Sequence, residues 1–283
     1  MNRTLNSSGN LETLIHSYYP SLTKSEQKVA DYVLKNFDQV VYHSVTDLSE
    51  EAEVGETTVL RFCRKIGMKG YQEFKLTLAK DFASKEGNKR SENSSSGFIE
   101  EIYNNTVGSI RSTFSMIEQD ALTTAIDKID SAQSVQFFGV GTSGLTALDA
   151  KNRFIRIGKQ VDAVIDPHIQ SMTAATLTKD DVAIGISVSG STHDTVNTLK
   201  IAKDNDAFVI AITYYLRSPI TKLADIVLPG GEKESPLEGG SLAAKMSQLY
   251  VIDLLCTGLA LKNIDKSEKM REKTARAVVN KIY

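Results

Sequence analysis

Between Ser134 and Leu228 five short apolar runs alternate with helical segments, and no other feature limits the possible folds as tightly. The runs are Ser134–Phe138, Val161–Ile165, Asp181–Val188, Phe208–Thr213 and Ile226–Leu228. Each is too short for a helix and too continuously apolar for a strand with one wet face. Such strands belong in a parallel sheet with helices on both faces, the α/β arrangement. Two helical segments, 98–117 and 119–131, precede the first run. After the last, Leu242–Leu261 is apolar around most of its circumference from Leu249 onward, so it requires burial in the core or across a subunit interface.

Two loops of this region carry chemistry. Gly139-Val-Gly-Thr-Ser-Gly144 follows the first strand and opens a helix. It matches the dinucleotide pattern G-x-G-x-x-G, which also wants an acid at the end of the second strand. Asp162 lies inside that strand and Asp166 comes late, so the pattern supports a nucleotide poorly. The second loop, Ser187-Val-Ser-Gly-Ser-Thr192, places four hydroxyls at the carboxyl end of a buried strand and the start of a helix. There a phosphate meets free backbone N–H groups, the positive end of the helix dipole and neutral donors. With strands in the order 2-1-3-4-5, the loops after strands one and three flank the switch point where ligands bind. The expected phosphate set is therefore Gly141, Thr142 and Ser143 with Ser187, Ser189, Gly190, Ser191 and Thr192. Serine, threonine and glycine also serve as ordinary caps and turns, and the pairing of the two loops is what favours a pocket.

Residues 11–83 read as helices without strands. Thr23-Lys-Ser-Glu26 forms a capping box, followed by Val29, Ala30, Val33, Leu34 and Phe37 at helical spacing. Ser44–Ala52 and Glu56–Ile66 are short helical segments separated by Glu53-Val54-Gly55, a spacing that lets two helices cross steeply around one small core. That is a helix-turn-helix, with Val54 plugging the turn. The second helix of such a pair enters the major groove of DNA. Its expected outward positions are Glu56, Thr57, Thr58, Arg61, Arg64 and Lys65, with Thr46 and Lys69 as flanking candidates for the DNA-binding set. Although the chain carries a net charge of only −2, nine basic residues stand against three acids from Arg61 to Arg90, a local +6. Five acids and no base occupy Asp47–Glu56. A block reversal of this kind gives one basic face. The polar run 84–97, with three consecutive serines, reads as a flexible linker. The expected domains are thus 1–83, a linker at 84–97, and 98–283.

Composition removes other classes. No stretch reaches the ~18 uninterrupted apolar residues of a membrane span, and the richest, Leu249–Leu261, is broken by Asp253. Met1–Pro20 lacks the pattern of a secretion signal. Cys63 and Cys256 suit a reducing compartment, and with four scattered histidines they make no zinc spacing. A cytoplasmic location, no membrane partner, no metal and no cofactor are the expectations.

The residues just named carry a family resemblance. Residues 134–228 look like a SIS (sugar isomerase) domain, whose I-S-x-S-G-x-T run matches Ile186–Thr192. The N-terminal zone resembles the RpiR family of regulators, where T-V-x-R-F-C-R-K-x-G-x-x-G-[FY]-x-E-F-K is typical; here Thr58-Val-Leu-Arg-Phe-Cys-Arg-Lys-Ile-Gly-Met-Lys-Gly-Tyr-Gln-Glu-Phe-Lys75 stands. The resemblance implies a transcriptional regulator of carbohydrate metabolism whose SIS domain senses a phosphorylated sugar. By that likeness Ser143, Ser187, Ser189 and Thr192 hold the phosphate. Two positions depart from the pattern. Gly55 stands where a serine usually opens the recognition helix, and Ala244-Lys245 replaces a common Ser-Arg pair, keeping the charge without the bidentate fork.

The competing class is a sugar-phosphate isomerase or lyase, which needs a general base; Glu234, Glu238 and His193 are candidates. An enzyme leaves the helix-turn-helix without a task, whereas a sensor uses it, so a non-enzymatic regulator is expected. Its partners are operator DNA and a phosphorylated sugar, and it is expected as a homodimer or homotetramer, because such readers bind two-fold-related half-sites.

Overall fold

The structure, a computed structural model, describes residues 11–90, 97–237 and 239–281. It divides into two compact units, the first made of the chain up to Phe98 with Glu234–Gly239, the second of Ile99–Lys233 and the chain from Gly240 on.

The first unit is helical: α1 (Leu11–Tyr18), α2 (Lys24–Lys35), α3 (Phe37–Val40), α4 (Val45–Glu51), α5 (Glu56–Lys65) and α6 (Tyr71–Arg90). Thr23 closes the expected capping box with Glu26 at the head of α2, and Ser44 makes a second one with Asp47 at the head of α4. Each box satisfies two backbone N–H groups that a helix start otherwise leaves free. Ile15, Val29, Val33, Leu48, Val59, Phe62, Phe74 and Leu78 are fully buried in one core, with the Phe62 ring edge-on to Phe74. The backbone of Glu53, in the turn between α4 and α5, is left-handed at φ 52°.

One boundary differs from expectation. α6 runs on to Arg90, so residues 84–90 finish a helix; 91–96 lie outside the described residues. Polarity suggested a linker, but Lys, Glu and Arg are good helix formers, and a helix already nucleated on a buried face extends through them at little cost.

The second unit opens with α7 (Phe98–Met116) and α8 (Gln119–Ser131), then winds β1 (Val135–Phe138), α9 (Gly141–Arg156), β2 (Val161–Val164), α10 (Pro167–Ala174), β3 (Val182–Ile186), α11 (His193–Asp204), β4 (Phe208–Thr213) and β5 (Ile226–Pro229). α12 (Leu242–Lys262) and α13 (Ile264–Val278) complete it. The five strands are parallel in the order β2-β1-β3-β4-β5, with Val135 opposite both Val161 and Val182. Alternation along the strands sorts the two cores. Val182, Ile184, Ile186, Ile210 and Ile212 face α8, α9 and α12, while Ala183, Val209 and Ala211 face α10 and α11. Among the described residues α12 has the length and apolarity of a membrane span. Its Val251, Ile252, Leu255, Leu259 and Ala260 are buried in the core of this unit, whereas Leu242 and Leu261 are exposed.

Candidate functional site

Adjacent parallel strands lie ~4.8 Å apart, so the loops leaving β1 and β3 are neighbours at the switch point of the sheet. Both deliver the start of a helix. Gly141, at φ 58°, turns the chain into α9, whose N-cap Val140 offers no side-chain cap. Gly139 and Gly144 permit the tight strand-to-helix packing: a Cβ on Gly139 would sit 2.9 Å from the Ser143 backbone, and one on Gly144 3.0 Å from the Gly139 carbonyl. These glycines thus serve backbone packing. The acids that a dinucleotide would need are already engaged: Asp162 is ion-paired with Lys151, which holds its carboxyl below the usual range, and Asp166 caps α10.

The β3 loop has the same character. Ser187 and Thr192 pair through their hydroxyls at 3.0 Å, so Thr192 spends its oxygen there and makes no cap on α11. Ser189 Oγ accepts from the Ser191 N–H at 3.2 Å. Gly190 adopts φ 59° and is wedged under Ser218 and Thr213; a Cβ there would lie 2.0 Å from Ser218 Oγ. Ser143 and Ser187 are buried, Ser189, Ser191 and Thr192 half-exposed, and Gly141 and Thr142 exposed. The expected phosphate set is therefore assembled around two adjacent helix starts that no side chain caps.

Two side chains at this end of the sheet, Gln248 and Gln170, had no local signature in the sequence, and a third, Lys245, stood out there only as a departure from the Ser-Arg pair. Gln248 of α12 accepts from Thr146 Oγ1 at 2.8 Å and donates to Ser143 Oγ at 3.3 Å. Lys245 donates to the Thr142 carbonyl at 2.6 Å and to Thr146 Oγ1 at 2.8 Å, so the departure from the Ser-Arg pattern leaves an ammonium on the first loop. Burial lowers the Lys245 pKa, against the opposing pull of Asp149. Gln170 of α10 is fully buried and donates to the Gly139 and Val164 carbonyls at 2.8 Å, bracing the β1 loop from below. The Asp-Pro start of α10 was the one available clue to that helix.

Two hollows of ≈ 640 and ≈ 730 Å³ open at the opposite, amino ends of the strands, one over Lys128, Asp180 and Lys203, the other over Lys151 and Asp162. No helix start is among their lining residues, and charges there are paired, Lys203 with Asp225 and Lys151 with Asp162. Of the candidate bases, His193 is 94% exposed beside Asp194, Glu234 is half-buried, and Glu238 lies outside the described residues.

In the first unit, α5 turns Thr57, Arg61 and Arg64 to solvent, with Lys69 exposed just beyond it. The expected DNA-binding set needs correction at four positions. Thr58 is buried, because it falls on the core-facing side with Val59 and Phe62, and its Oγ1 accepts from Arg61 at 3.3 Å. Thr46 is buried too, donating at 2.7 Å to Glu56, which is half-buried and thereby clamps α4 to α5. Lys65 reaches back to the buried Glu26 at 3.0 Å. Burial opposes charge on Glu26, but hydrogen bonds from Thr23 and Lys65 outweigh it and hold the carboxyl below its ordinary value. The local charge of the basic segment also overstates the basic face, since Lys75 is buried. Cys63 points into the core, and burial pushes its thiol up to about 12.

A small helical unit with a helix-turn-helix pair and cations on its second helix, joined to a parallel sheet with two uncapped helix starts at its switch point, defines a class: DNA-binding regulators with a ligand domain. Comparison with known proteins specifies it. The family model "Helix-turn-helix domain, rpiR family" matches residues 9–85, and the SIS domain model matches 128–258. An uncharacterized HTH-type transcriptional regulator of Haemophilus influenzae is 39% identical over 280 residues, covering 96% of this chain and 97% of the relative. The HTH-type transcriptional regulator HexR of Pseudomonas aeruginosa is 32% identical, covering 89% and 90%. Among solved structures, the Vibrio vulnificus NanR protein complexed with ManNAc-6P matches with a TM-score of 0.89 at 28% identity, over 96% of this chain and 99% of that one. The chain belongs to the RpiR family of helix-turn-helix transcriptional regulators that carry a SIS domain.

Proposed function

We propose that the second unit binds a phosphorylated sugar at the carboxyl ends of β1 and β3, and that this binding alters the affinity of the first unit for operator DNA. The observation that carries the reading is the pair of uncapped helix starts, α9 and α11, side by side at the switch point. Each leaves backbone N–H groups and a positive dipole end for an anion, and a phosphate takes both at once. The likeness to a NanR that holds ManNAc-6P supports the same ligand class.

Within this reading Ser143, Ser187, Ser189, Ser191 and Thr192 supply hydroxyls, Gly141, Thr142 and Gly190 supply close backbone, and Thr57, Arg61, Arg64 and Lys69 meet DNA. The protein acts as a cytoplasmic sensor, without catalysis, and as a homodimer or homotetramer on a two-fold operator. A physical connection favours coupling. Ser247, next to Gln248 on α12, shares a 2.5 Å hydrogen bond with Ser109 of α7, and Ser109 also lies 3.2 Å from the Gly231 and Ala243 carbonyls. A ligand that shifts α12 thereby shifts α7, the first helix of its unit. A ligand that prefers one arrangement biases the equilibrium by its differential affinity.

The test pairs two variants. Arg61→Ala should weaken binding to genomic fragments selected by the wild-type protein roughly 5- to 150-fold, the range for one arginine contact, while thermal shifts by a panel of sugar phosphates persist. Ser189→Ala should abolish the shifts and leave DNA binding intact. If both variants lose both functions, the two-module reading is wrong.

A further inference from the structure

The hydrogen bonds behind the phosphate loop have a direction, and the direction specifies the ligand. Lys245 Nζ lies 2.8 Å from Thr146 Oγ1, and an ammonium only donates. The Thr146 proton must then go to an acceptor. Gln248 Oε1 is 2.8 Å away, whereas the Thr142 carbonyl is 3.5 Å away and already accepts from Lys245 at 2.6 Å. This orients the Gln248 amide, whose oxygen faces Thr146 and whose NH2 faces Ser143 Oγ at 3.3 Å. Gln248 is 1% exposed and Ser143 8%, so water does not scramble the order. With its oxygen engaged as an acceptor, Ser143 has its proton left to give.

We propose that Gln248 is a positioning residue that makes Ser143 a donor toward the switch point, so that the pocket selects a ligand group made only of acceptors, an ionised phosphate, over a neutral hydroxyl that also donates. This rests on the sugar-phosphate reading above. The chain Lys245 to Thr146 to Gln248 to Ser143 carries donors forward at every link, in line with the backbone N–H groups at the start of α9.

The experiment titrates the full chain calorimetrically with ManNAc-6P and with inorganic phosphate. Q248E at pH 7.5 replaces the donor by a carboxylate, which draws the Ser143 proton inward; affinity for the tighter-binding probe should fall about 30-fold or more. Gln248→Met removes the orientation without reversing it and should cost about 5-fold. Lowering the pH to 5.5 should return Q248E toward the wild type measured at the same pH, because a protonated carboxyl donates and accepts like the amide. That recovery is a readout that a merely structural role would not give. An affinity of Q248E within 3-fold of wild type, or equal losses in both variants without recovery, overturns the proposal. Should Q248E not fold, Thr146→Val, which releases the amide to flip, must lower affinity about 5-fold, and unchanged binding refutes the relay. A wild-type protein that binds neither probe withdraws the sugar-phosphate reading itself, a result distinct from wild-type binding that Gln248 does not affect.

Discussion

Gly190→Ala tests whether the β3 loop is built around an absent side chain. At φ 59° an alanine pays roughly 1–2 kcal/mol for the left-handed backbone. Its Cβ would also lie 2.0 Å from Ser218 Oγ, 2.6 Å from Ser218 Cβ and 2.9 Å from Thr213 Oγ1. Neither neighbour yields easily: Ser218 and Thr213 are fully buried, Ser218 Oγ donates to the Tyr215 carbonyl at 2.8 Å, and Thr213 Oγ1 donates to that of Val188 at 3.1 Å. Overpacking of such a site costs about 1–3 kcal/mol, so the expected total is roughly 2–5 kcal/mol. Urea unfolding read by hydrogen–deuterium exchange on β3 and β4 peptides reports the second unit by itself. Adding Ser218→Gly should recover the part of the steric cost that Ser218 imposes and leave the Thr213 contact and the backbone part, giving a coupling of about 1–3 kcal/mol in a double-mutant cycle. Sugar-phosphate shifts should vanish in Gly190→Ala while DNA binding survives. A variant as stable as wild type, or additive energies in the cycle, would refute the argument.

Two further outcomes concern the first unit. Burial lowers the pKa of Lys75 from 10.5 to about 8, against a raising effect of Asp47. Between those values the unfolded chain binds a proton that the folded one does not, so this group's contribution to stability rises with pH. The difference in unfolding free energy between Lys75→Met and wild type should therefore narrow by about 3 kcal/mol from pH 8 to 10.5, and a constant difference in urea titrations refutes it. At Glu53 the left-handed backbone should rank unfolding free energies from urea titrations as Glu53→Gly at or above wild type and Glu53→Val below it by about 1 kcal/mol or more, the exposed pair with Lys28 contributing little. A valine variant as stable as wild type would show that the turn does not need this conformation.

What the sequence made legible follows a physical division. Strands β1 to β5, their order and the places of the two loops could be read because burial on both faces leaves a continuous apolar run, and because each loop lies where a strand meets a helix start. The capping box at Thr23 is equally local, and the one at Ser44 with Asp47, though just as local, was missed. The outward face of α5 was read less well. Helical periodicity places Thr58 only to within the width of one residue, and a small threonine is as much at home against Val59 and Phe62 as in water. Lys65 and Thr46 are held by Glu26 and Glu56, and those partners depend on how the helices cross, which spacing along one helix does not encode. The contacts behind the β1 loop lie further still from any local pattern. Thr146 and Gln248 are 102 residues apart and Ser143 and Gln248 105, joined only because α12 packs on α9. A motif records the atoms that would touch a ligand, since these sit on one loop. The atoms that decide which way those hydroxyls point come from wherever the core brings another helix past, so the specificity of such a site is a property of packing, and the loop sequence alone describes only its capacity to bind an anion.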